Sequence, residues 1–408
     1  MHLYDVPLAF VLIGLVLYTV LAGADFGAGA WQLLAGRGSA GERIRDHAHH
    51  SMGPVWEANH VWLVFVLTVM WTAYPTAFGS IASTLSVPLL LAAIGIVVRG
   101  AAYALRTGAQ TRRELRAIDG ASAISSIVTP FALGAAVGGI ASGRVPVGNA
   151  AGDLFSSWLN PTSVLIGCLA IATSAYLAAI YLAADAERLG EHELAQAFRA
   201  RALAAGIVAG AIALGGLAVL HADAHALYRE LVRGGALGAL ISSIVAGVLT
   251  LALVWRRRFE AARYTAAVAV AAIIAGWALA QYPRLLPGLT VAQAAAPHDT
   301  LVAIVVAVIA GGALLFPSLG LLFGLLLSGR LDRGAAPAES APTARSLLAA
   351  SAAGLLGRGA VAAMLIAVGF LTVADAPWAH IIGVLSLFAF IMLGFAALAP
   401  PGAGLLED

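Results

Sequence analysis

The chain has 408 residues, of which 61% are apolar and only 11% carry a charge, and its mean hydropathy is +0.92. A soluble protein of this length needs roughly 25% charged residues to cover its surface. The composition therefore excludes a soluble globular protein and predicts an integral membrane protein. The spans are predicted to be helices, because the apolar runs continue over about 20 residues and do not alternate as barrel strands do.

The charges and the single cysteine exclude further classes. All 23 basic residues are arginine, and the formal net charge is only +2. All the arginines but Arg358 lie in or at the edges of the loops between apolar segments, where they orient the chain, so no nucleic-acid partner is implied. Cys168 has no second cysteine to pair with, which excludes an intrachain disulfide. The first residues carry no positive region and no cleavage site, so the first apolar stretch is expected to be retained as a helix.

Eleven apolar segments are each long enough to cross a hydrocarbon core of about 30 Å at 1.5 Å per residue. The first nine cover residues 6–34, 54–73, 79–99, 120–140, 161–184, 202–220, 235–255, 264–282 and 299–328. Two further segments, 347–373 and 378–399, follow a polar linker rich in alanine and proline. The sequence thus predicts an all-α polytopic membrane protein with a nine-helix core (residues 1–330), a cytoplasmic linker (331–346) and an extra two-helix membrane extension (347–408).

The distribution of arginine predicts the orientation of the chain. Eighteen of the 23 arginines fall in loops after odd-numbered segments, and four fall in loops after even-numbered ones. Loops on the cytoplasmic side of a membrane carry an excess of basic residues. We therefore expect the N-terminus outside and the C-terminus in the cytoplasm.

The second segment carries an acid, an amide and an imidazole within residues 53–63, GPVWEANHVWL. The uncharged run that follows has only about 13 residues, too few to cross a membrane, so the helix is expected to start near Pro54. That start draws Glu57, Asn59 and His60 inside the hydrocarbon boundary. Glu57 and His60 are i, i+3 neighbours and share a helix face.

Three further ionisable residues are expected at the same depth as Glu57 and His60. Asp25 lies near the end of the first segment, Arg99 closes the third and Asp119 opens the fourth. One interpretation is a proton-uptake path from the cytoplasm, because ionisable groups inside a membrane are costly and are functional by default. The other is an ion-paired structural cluster. For Asp119 alone a helix cap is favoured.

No metal site is predicted. Glu57 and His60 match the Glu-x-x-His of di-iron bundles, but the second copy that such a site needs is missing from the sequence. The histidine tract at residues 47–50 is expected in a solvated loop. His221 and His225 have a spacing that would suit haem ligands, yet as interfacial histidines near an acid they need no such role.

Five stretches resemble, in order and at the family's spacing, signatures of subunit II of the cytochrome bd-type quinol oxidases. Residues 23–29, GADFGAG, resemble the Gly-x-Asp-Phe-Gly signature that closes that family's first helix. Residues 53–63 resemble its second motif, and Trp56, Asn59 and Trp62 stand at matching positions. The later matches are RGAAYALR at 99–106, GWALAQYP at 276–283 and FPSLGL at 316–321.

The resemblance covers residues 1 to about 330 and implies two four-helix bundles plus a ninth helix. It implies a partner, subunit I, that carries haem b and haem d, oxidises quinol and reduces oxygen to water with protons taken from the cytoplasm. The acids matching Asp25 and Glu57 would belong to a proton channel toward those haems. The complex would lie in the bacterial cytoplasmic membrane. Whether this chain also holds a bound quinone stays open.

Other interpretations stay open beside this one. A stand-alone proton-coupled secondary transporter would use Asp25 and Glu57 as coupling groups, although its polar groups are expected near the midplane and not near one face. A structural scaffold would only pair Glu57 with Arg99. The C-terminal extension has no counterpart in the nine-helix core, and it would either cover a lipid-facing side or dock a small accessory subunit.

Overall fold

A computed structural model gives the fold and describes residues 2–36, 38–106, 111–327, 344–372 and 377–398. On the second helix, the side chains of residues 52–58 lie outside the described part. The chain divides into two compact units, Met1–Phe316 and Pro317–Asp408.

The described residues form fourteen α-helices and one antiparallel hairpin. The helices are α1 Val6–Leu33, α2 Ser39–Ala73, α3 Pro75–Thr84, α4 Ser86–Arg106, α5 Arg112–Ala141, α6 Pro161–Arg188, α7 His192–Asp223, α8 His225–Arg233, α9 Leu237–Trp255, α10 Phe259–Gln281, α11 Val291–Ala294, α12 His298–Leu327, α13 Ala344–Thr372 and α14 Pro377–Leu398. The hairpin strands are β1 Arg284–Leu286 and β2 Leu289–Thr290, and they follow a cis Tyr282–Pro283 bond.

Among the described residues, eight helices are long and apolar enough to cross a membrane, namely α1, α4, α5, α6, α7, α9, α10 and α12. Three shorter apolar stretches, Asn59–Ala73, Leu355–Ala367 and Ile381–Leu393, lie in the other three predicted segments. The prediction of an all-α, multi-pass membrane protein is therefore confirmed. The grouping of the core into two four-helix bundles plus a ninth helix stays a prediction.

Several helix boundaries differ from the prediction, among them those of the second and third segments. The second helix does not start near Pro54, because α2 begins at Ser39 and passes through Pro54 without a break. The polar first half of α2 is helical since Ile44 and Ala48 pack into the core formed with α6 and α7. The third predicted segment is divided between α3 and α4 at the buried Leu85, and Pro88 occupies the first turn of α4, where no N–H is needed.

The helices of the first unit expose two ends. We call one the arginine-rich end, formed by residues 34–36, 38–50, 103–106, 111–118, 186–201 and 255–263. Ion pairs tie it together, for example Arg43 with Glu191 at 2.8 Å. We call the other the hairpin end, formed by residues 73–86, 141–161, 223–237 and 281–298, where the Ala296 amide donates to the Ala73 carbonyl at 2.8 Å.

The second unit is built on α13 and α14, which pack against each other. The buried residues of the two helices are small: Ala360, Ala363 and Ala367 of α13 and Ala379 of α14. A Cβ at Gly359 would lie 3.4 Å from Leu393 of α14, which is ordinary van der Waals contact. The two helices therefore meet along a seam of small side chains.

Candidate functional site

The second half of α1 carries an acid into the protein core. Residues 22–30 are all buried, and all but two of them are glycine or alanine. Small residues let helices approach closely, and a Cβ at Gly27 would overlap the Ser174 carbonyl of α6. Asp25 is only 1% exposed as a result. A carboxylate in such a place must be paired or protonated.

Arg99 of α4 binds Asp25 through both carboxylate oxygens. Its Nη2 lies 2.7 Å from Oδ1 and its Nε lies 2.8 Å from Oδ2, while Nη2 also donates to the Asp25 carbonyl at 2.7 Å. Arg99 is 2% exposed. Removing one partner from such a buried pair costs about 3–5 kcal/mol, because the other charge stays buried and unpaired. The pair therefore fixes α1 and α4 to each other at one depth.

Hydroxyl groups surround this pair. Nη1 of Arg99 donates to Ser126 of α5 and lies 3.5 Å from the Oγ of Ser122, one turn earlier. The Tyr103 hydroxyl donates to Oδ1 of Asp25 at 3.4 Å, and the Tyr103 ring centroid lies 5.5 Å from the guanidinium carbon. That distance permits a cation–π contact. Arg99 thus keeps several partners besides the carboxylate.

Two adjoining cavities lie between the arginine-rich end and the buried pair. The outer cavity has a volume of about 130 Å³, and the inner one, at about 10 Å³, has room for about one water molecule. Both cavities share three polar lining residues, Gln32, Arg106 and Asp119. Tyr103 and Ser122 also line the inner cavity. Since both contact the Asp25–Arg99 pair, only one layer of side chains separates that pair from the inner cavity.

Asp119 is not a helix cap, so that prediction is wrong. The cap of α5 is Thr111, whose Oγ1 accepts from the Glu114 amide at 3.2 Å, while the Glu114 carboxylate accepts from the Thr111 amide. The charged stretch before Asp119 is helical because this capping box starts α5 two turns earlier than apolar periodicity suggests. Asp119 instead lies 3.6 Å from Nη1 of Arg106, at the cavity wall.

The structure describes only part of the predicted α2 cluster. Trp56 and Glu57 lie outside the described side chains, so the proximity of Glu57 to the buried pair stays a prediction. Asn59 is fully buried, and His60 and Trp62 are half-buried. Asp25 and Arg99, in contrast, are brought into direct contact.

The histidines at the start of α2 lie in a helix, and the prediction of a solvated loop is wrong. His47 is buried, and its Nε2 lies 3.0 Å from the Leu182 carbonyl of α6. His49 lines the inner cavity and stacks on Tyr103, with ring centroids 5.2 Å apart. Burial, and then the charge of Arg106, lower the pKa of His49. The neutral form of His49, which lies beside the inner cavity, is thus favoured more than in an ordinary histidine.

Sequence reasoning missed the hydroxyl groups of α5. Ser122, Ser126 and Thr129 recur at i, i+4 and i+7 and therefore lie on one helix face. This polar stripe within an apolar segment was the signal that would have found them. Arg106 and Gln32 gave no such signal, because an arginine and a glutamine at helix ends are ordinary interfacial residues.

The hairpin end has its own polar groups. The Asp223 carboxylate at the end of α7 accepts from both terminal nitrogens of Arg144, at 2.6 and 3.0 Å. His221 and His225 are exposed; His221 meets the Tyr228 ring edge-on at 4.9 Å between ring centroids, and His225 stacks on it at 6.1 Å. Within the described residues, no group of three or more histidine, cysteine or acidic side chains is placed to hold a metal ion.

Comparisons with known proteins agree on one family. The family model described as cytochrome bd terminal oxidase subunit II matches residues 3–326. The bd oxidase structure from Geobacillus thermodenitrificans superposes with a TM-score of 0.65 at 25% identity, covering 80% of this chain and 99% of that chain.

Curated relatives match over shorter stretches. Cytochrome bd ubiquinol oxidase subunit 2 of Bacillus subtilis is 26% identical over 132 residues, which is 32% of this chain and 38% of the relative. The putative cytochrome bd menaquinol oxidase subunit II of that organism is 23% identical over 239 residues, 57% of this chain and 67% of the relative. Cytochrome bd-I ubiquinol oxidase subunit 2 of Escherichia coli K12 is 26% identical over 186 residues, 42% of this chain and 47% of the relative.

Proposed function

Because this chain belongs to the cytochrome bd terminal oxidase subunit II family, we propose that it is the non-catalytic partner of a haem-bearing subunit I. That subunit carries haem b and haem d, oxidises quinol and reduces oxygen to water. The present chain supplies the path by which protons from the cytoplasm enter the complex. The observation that carries the proposal is the buried Asp25–Arg99 pair, which lies one layer of side chains behind a cavity at the arginine-rich end.

The charge of the arginine-rich end gives the path its direction. Arginine-rich loops lie on the cytoplasmic side of a membrane. The two cavities therefore open the protein to cytoplasmic water, and Gln32, Arg106 and Asp119 form their polar wall. Reduction of oxygen to water consumes protons, so a hydrated inlet on this side suits the reaction of the partner.

Asp25 has the surroundings that a proton-accepting carboxylate needs. Protonation removes its negative charge, and the Arg99 guanidinium then has to be satisfied by other groups. Ser122, Ser126 and the Asp25 backbone carbonyl already lie within reach of the guanidinium. The Tyr103 hydroxyl lies between the inner cavity and Oδ1 of Asp25, and it is the group that relays the proton.

We assign the haem groups to the partner because of the environments of the histidines in this chain. Bound haem supplies electron transfer and oxygen reduction, and its iron needs an axial ligand such as histidine. His47 is engaged with the Leu182 carbonyl, while His221 and His225 lie exposed against Tyr228. These three histidines thus form no buried pair of axial ligands.

Asp25→Asn tests the proposal in the complex purified with its partner. The change keeps the shape of the side chain and removes the proton-accepting group, so quinol-driven oxygen consumption is expected to fall by about a hundredfold. Haem absorption spectra check that the complex is assembled. Asp25→Glu, which restores the carboxylate, is expected to recover part of the rate.

Asp299→Asn is the matched control, because Asp299 is fully exposed at the start of α12 and is expected to keep the wild-type rate. An Asp25→Asn complex with intact haem spectra and unchanged oxygen consumption would contradict the proton-inlet role. The position of Asp25 in the protein would then be structural only.

A further inference from the structure

Three consecutive arginines form the turn between α9 and α10 at the arginine-rich end. Arg256, Arg257 and Arg258 are all exposed, and we call them the arginine turn. Among the described residues, no carboxylate forms an ion pair with any of the three. Arg257 lies 2.9 Å from the side-chain amide of Gln196, which is a neutral group. The arginine turn therefore holds three positive charges that the described part of the chain leaves without a carboxylate.

Neighbouring arginines differ from the arginine turn, because acids of this chain bind them. Arg188 and Arg263 both form ion pairs with Asp185 and Glu260. Glu260 follows the arginine turn by only two residues, yet its carboxylate oxygens lie 3.4 and 3.6 Å from Arg188 and Arg263. The charge of the arginine turn is therefore available to an anion from outside the chain.

An exposed stripe of α9 leads to the arginine turn. Ile241, Val245, Val248, Ala252 and Trp255 are all exposed, and their spacing of three or four residues places them on one helix face. Val248 is 62% exposed and Trp255 is 67% exposed. Since Trp255 is the last residue of α9, the stripe ends directly at the arginine turn.

The residue types on the two sides of α9 favour lipid as the neighbour of the exposed stripe. Helices that pack together in a membrane do so through small residues. On the packed side of α9, Ala246 and Thr250 are buried, and the Thr250 hydroxyl donates to Thr265 of α10 at 2.8 Å. The exposed stripe consists mainly of branched and aromatic side chains, which suit contact with acyl chains.

Aromatic side chains mark the level of the membrane interface beside the arginine turn. Tryptophan and tyrosine are enriched where the bilayer meets water. Tyr264 of α10 is 73% exposed, like Trp255 near the arginine-rich end of its helix. Arg199 of α7 holds Trp255 in place, because its Nη2 donates to the Trp255 carbonyl at 2.8 Å and its guanidinium carbon lies 5.0 Å from the ring centroid. The stripe, the aromatic residues and the arginines thus follow one another as acyl chain, interface and headgroup do.

We propose that the arginine turn binds the headgroup of an anionic phospholipid whose acyl chains lie along the exposed stripe of α9. Guanidinium groups donate paired, charge-assisted hydrogen bonds to phosphate oxygens. A zwitterionic phospholipid also presents a phosphate, but its cationic group is repelled by the three arginines, so the site prefers a headgroup with a net negative charge. The inference involves none of the residues of the proton inlet and needs only a chain that spans a membrane.

Brominated phospholipids test the site in the chain purified with its partner, because bromine on an acyl chain quenches tryptophan fluorescence only at short range. The signal of Trp255 is the difference between complexes with Trp255 and with Trp255→Phe. In mixed micelles at low salt, brominated phosphatidylglycerol is expected to quench this signal at about a tenth of the mole fraction that brominated phosphatidylcholine needs. Arg256→Gln combined with Arg258→Gln is expected to abolish this preference.

The chain offers a matched control pair on another helix. Arg113 and Arg116 of α5 are exposed at the same end, and their replacement by glutamine removes the same charge while the arginine turn stays intact. This control is expected to keep the wild-type preference for phosphatidylglycerol. Equal loss of the preference in both double variants would mean a response to total charge and would overturn the site.

Three other results would overturn the inference. Equal quenching by the two lipids in the wild type would exclude a preference for anionic headgroups. Absence of quenching by either lipid would mean that the partner subunit covers α9. Release of phosphatidylglycerol by inorganic phosphate, but not by sodium chloride of equal ionic strength, would mean a site for a free anion.

Haem absorption spectra check that each variant is assembled with its partner. If the double variant does not assemble, Arg256→Gln and Arg258→Gln carry the test singly, and each is expected to reduce the preference by about threefold. Asp25→Asn is expected to keep the wild-type quenching. Oxygen consumption measures the proton inlet and quenching measures the lipid site, so a failure of either proposal is recognised separately.

Discussion

At the scale of single residues, the buried pair shows how a costly charge is kept in the membrane. Asp25 receives three charged or hydroxyl contacts, from Nε and Nη2 of Arg99 and from Tyr103. An unpaired carboxylate at this depth would be protonated. The sequence placed an acid and an arginine at one depth, but their pairing through both carboxylate oxygens depends on the rotation of α1 relative to α4.

The contribution of His49 to the stability of the fold is predicted to depend on pH. Burial lowers the pKa of His49 below the ordinary 6.5, and the charges of Arg106 and His50 lower it further. Asp119 and Asp46 raise the pKa by less than these effects lower it. A histidine with a lowered pKa stabilises the fold while it is neutral. This stabilisation is therefore present above about pH 6.5 and is lost as the pH falls through the lowered pKa.

We expect the wild-type protein to lose more thermal stability than His49→Gln when the pH falls from about 7.5 to about 5. The measurement is the unfolding midpoint of the purified complex in detergent at the two pH values. His192→Gln is the control, because that histidine is largely exposed, and it should behave as the wild type does. An equal loss in wild type and His49→Gln would contradict the assignment.

At the scale of helices, small residues decide how deep Asp25 lies. The glycines and alanines of α1 let α6 and α5 approach on two sides of the acid. A Cβ at Gly27 would overlap the Ser174 carbonyl, and a Cβ at Gly29 would overlap Ser126 and lie 2.7 Å from Nη1 of Arg99. The glycines that resemble a family signature are therefore also packing requirements of this site.

Gly27→Ala is expected to destabilise the protein by about 1–3 kcal/mol, because the methyl group must push α1 away from the α6 backbone. Resistance to thermal or detergent-induced unfolding measures the effect. Gly210→Ala on α7 is the control, since nothing lies within 4 Å of a Cβ there, and it should be neutral or stabilise the helix by up to about 1 kcal/mol. Equal stability of the two variants would contradict the close packing of α1 on α6.

At the scale of the whole molecule, orientation decides whether the cavities face the cytoplasm. The arginine-rich end predicts this orientation through the positive-inside rule. Leu189 is 70% exposed at that end, and Ala151 is exposed in the loop between α5 and α6 at the hairpin end. These two positions report on opposite sides of the membrane.

Single cysteines at these positions test the orientation in a Cys168→Ser background. A membrane-impermeant maleimide should label Ala151→Cys in intact cells and Leu189→Cys only after the membrane is opened. Labelling of Leu189→Cys in intact cells would reverse the orientation and place the inlet on the outer side. The complex should keep its haem spectrum in both variants, which serves as the assembly control.

The predicted division of the C-terminal part into a linker and a two-helix extension stays a prediction. The described residues of Pro317–Asp408 place α13 against α14, as two apolar segments joined by a short connection would suggest. The boundaries at residues 330 and 346 and the role of this part stay predictions.

The sequence by itself determined that the chain is a helical membrane protein and indicated its family. It could do so because hydropathy, charge distribution and local motifs are properties of short stretches. It also identified Asp25 and Arg99. Only the tertiary structure decided that these two residues, 74 positions apart, pair directly, and that Asp119 lines a cavity and caps no helix. Those facts depend on the rotation and register of packed helices, which small residues on distant segments set together.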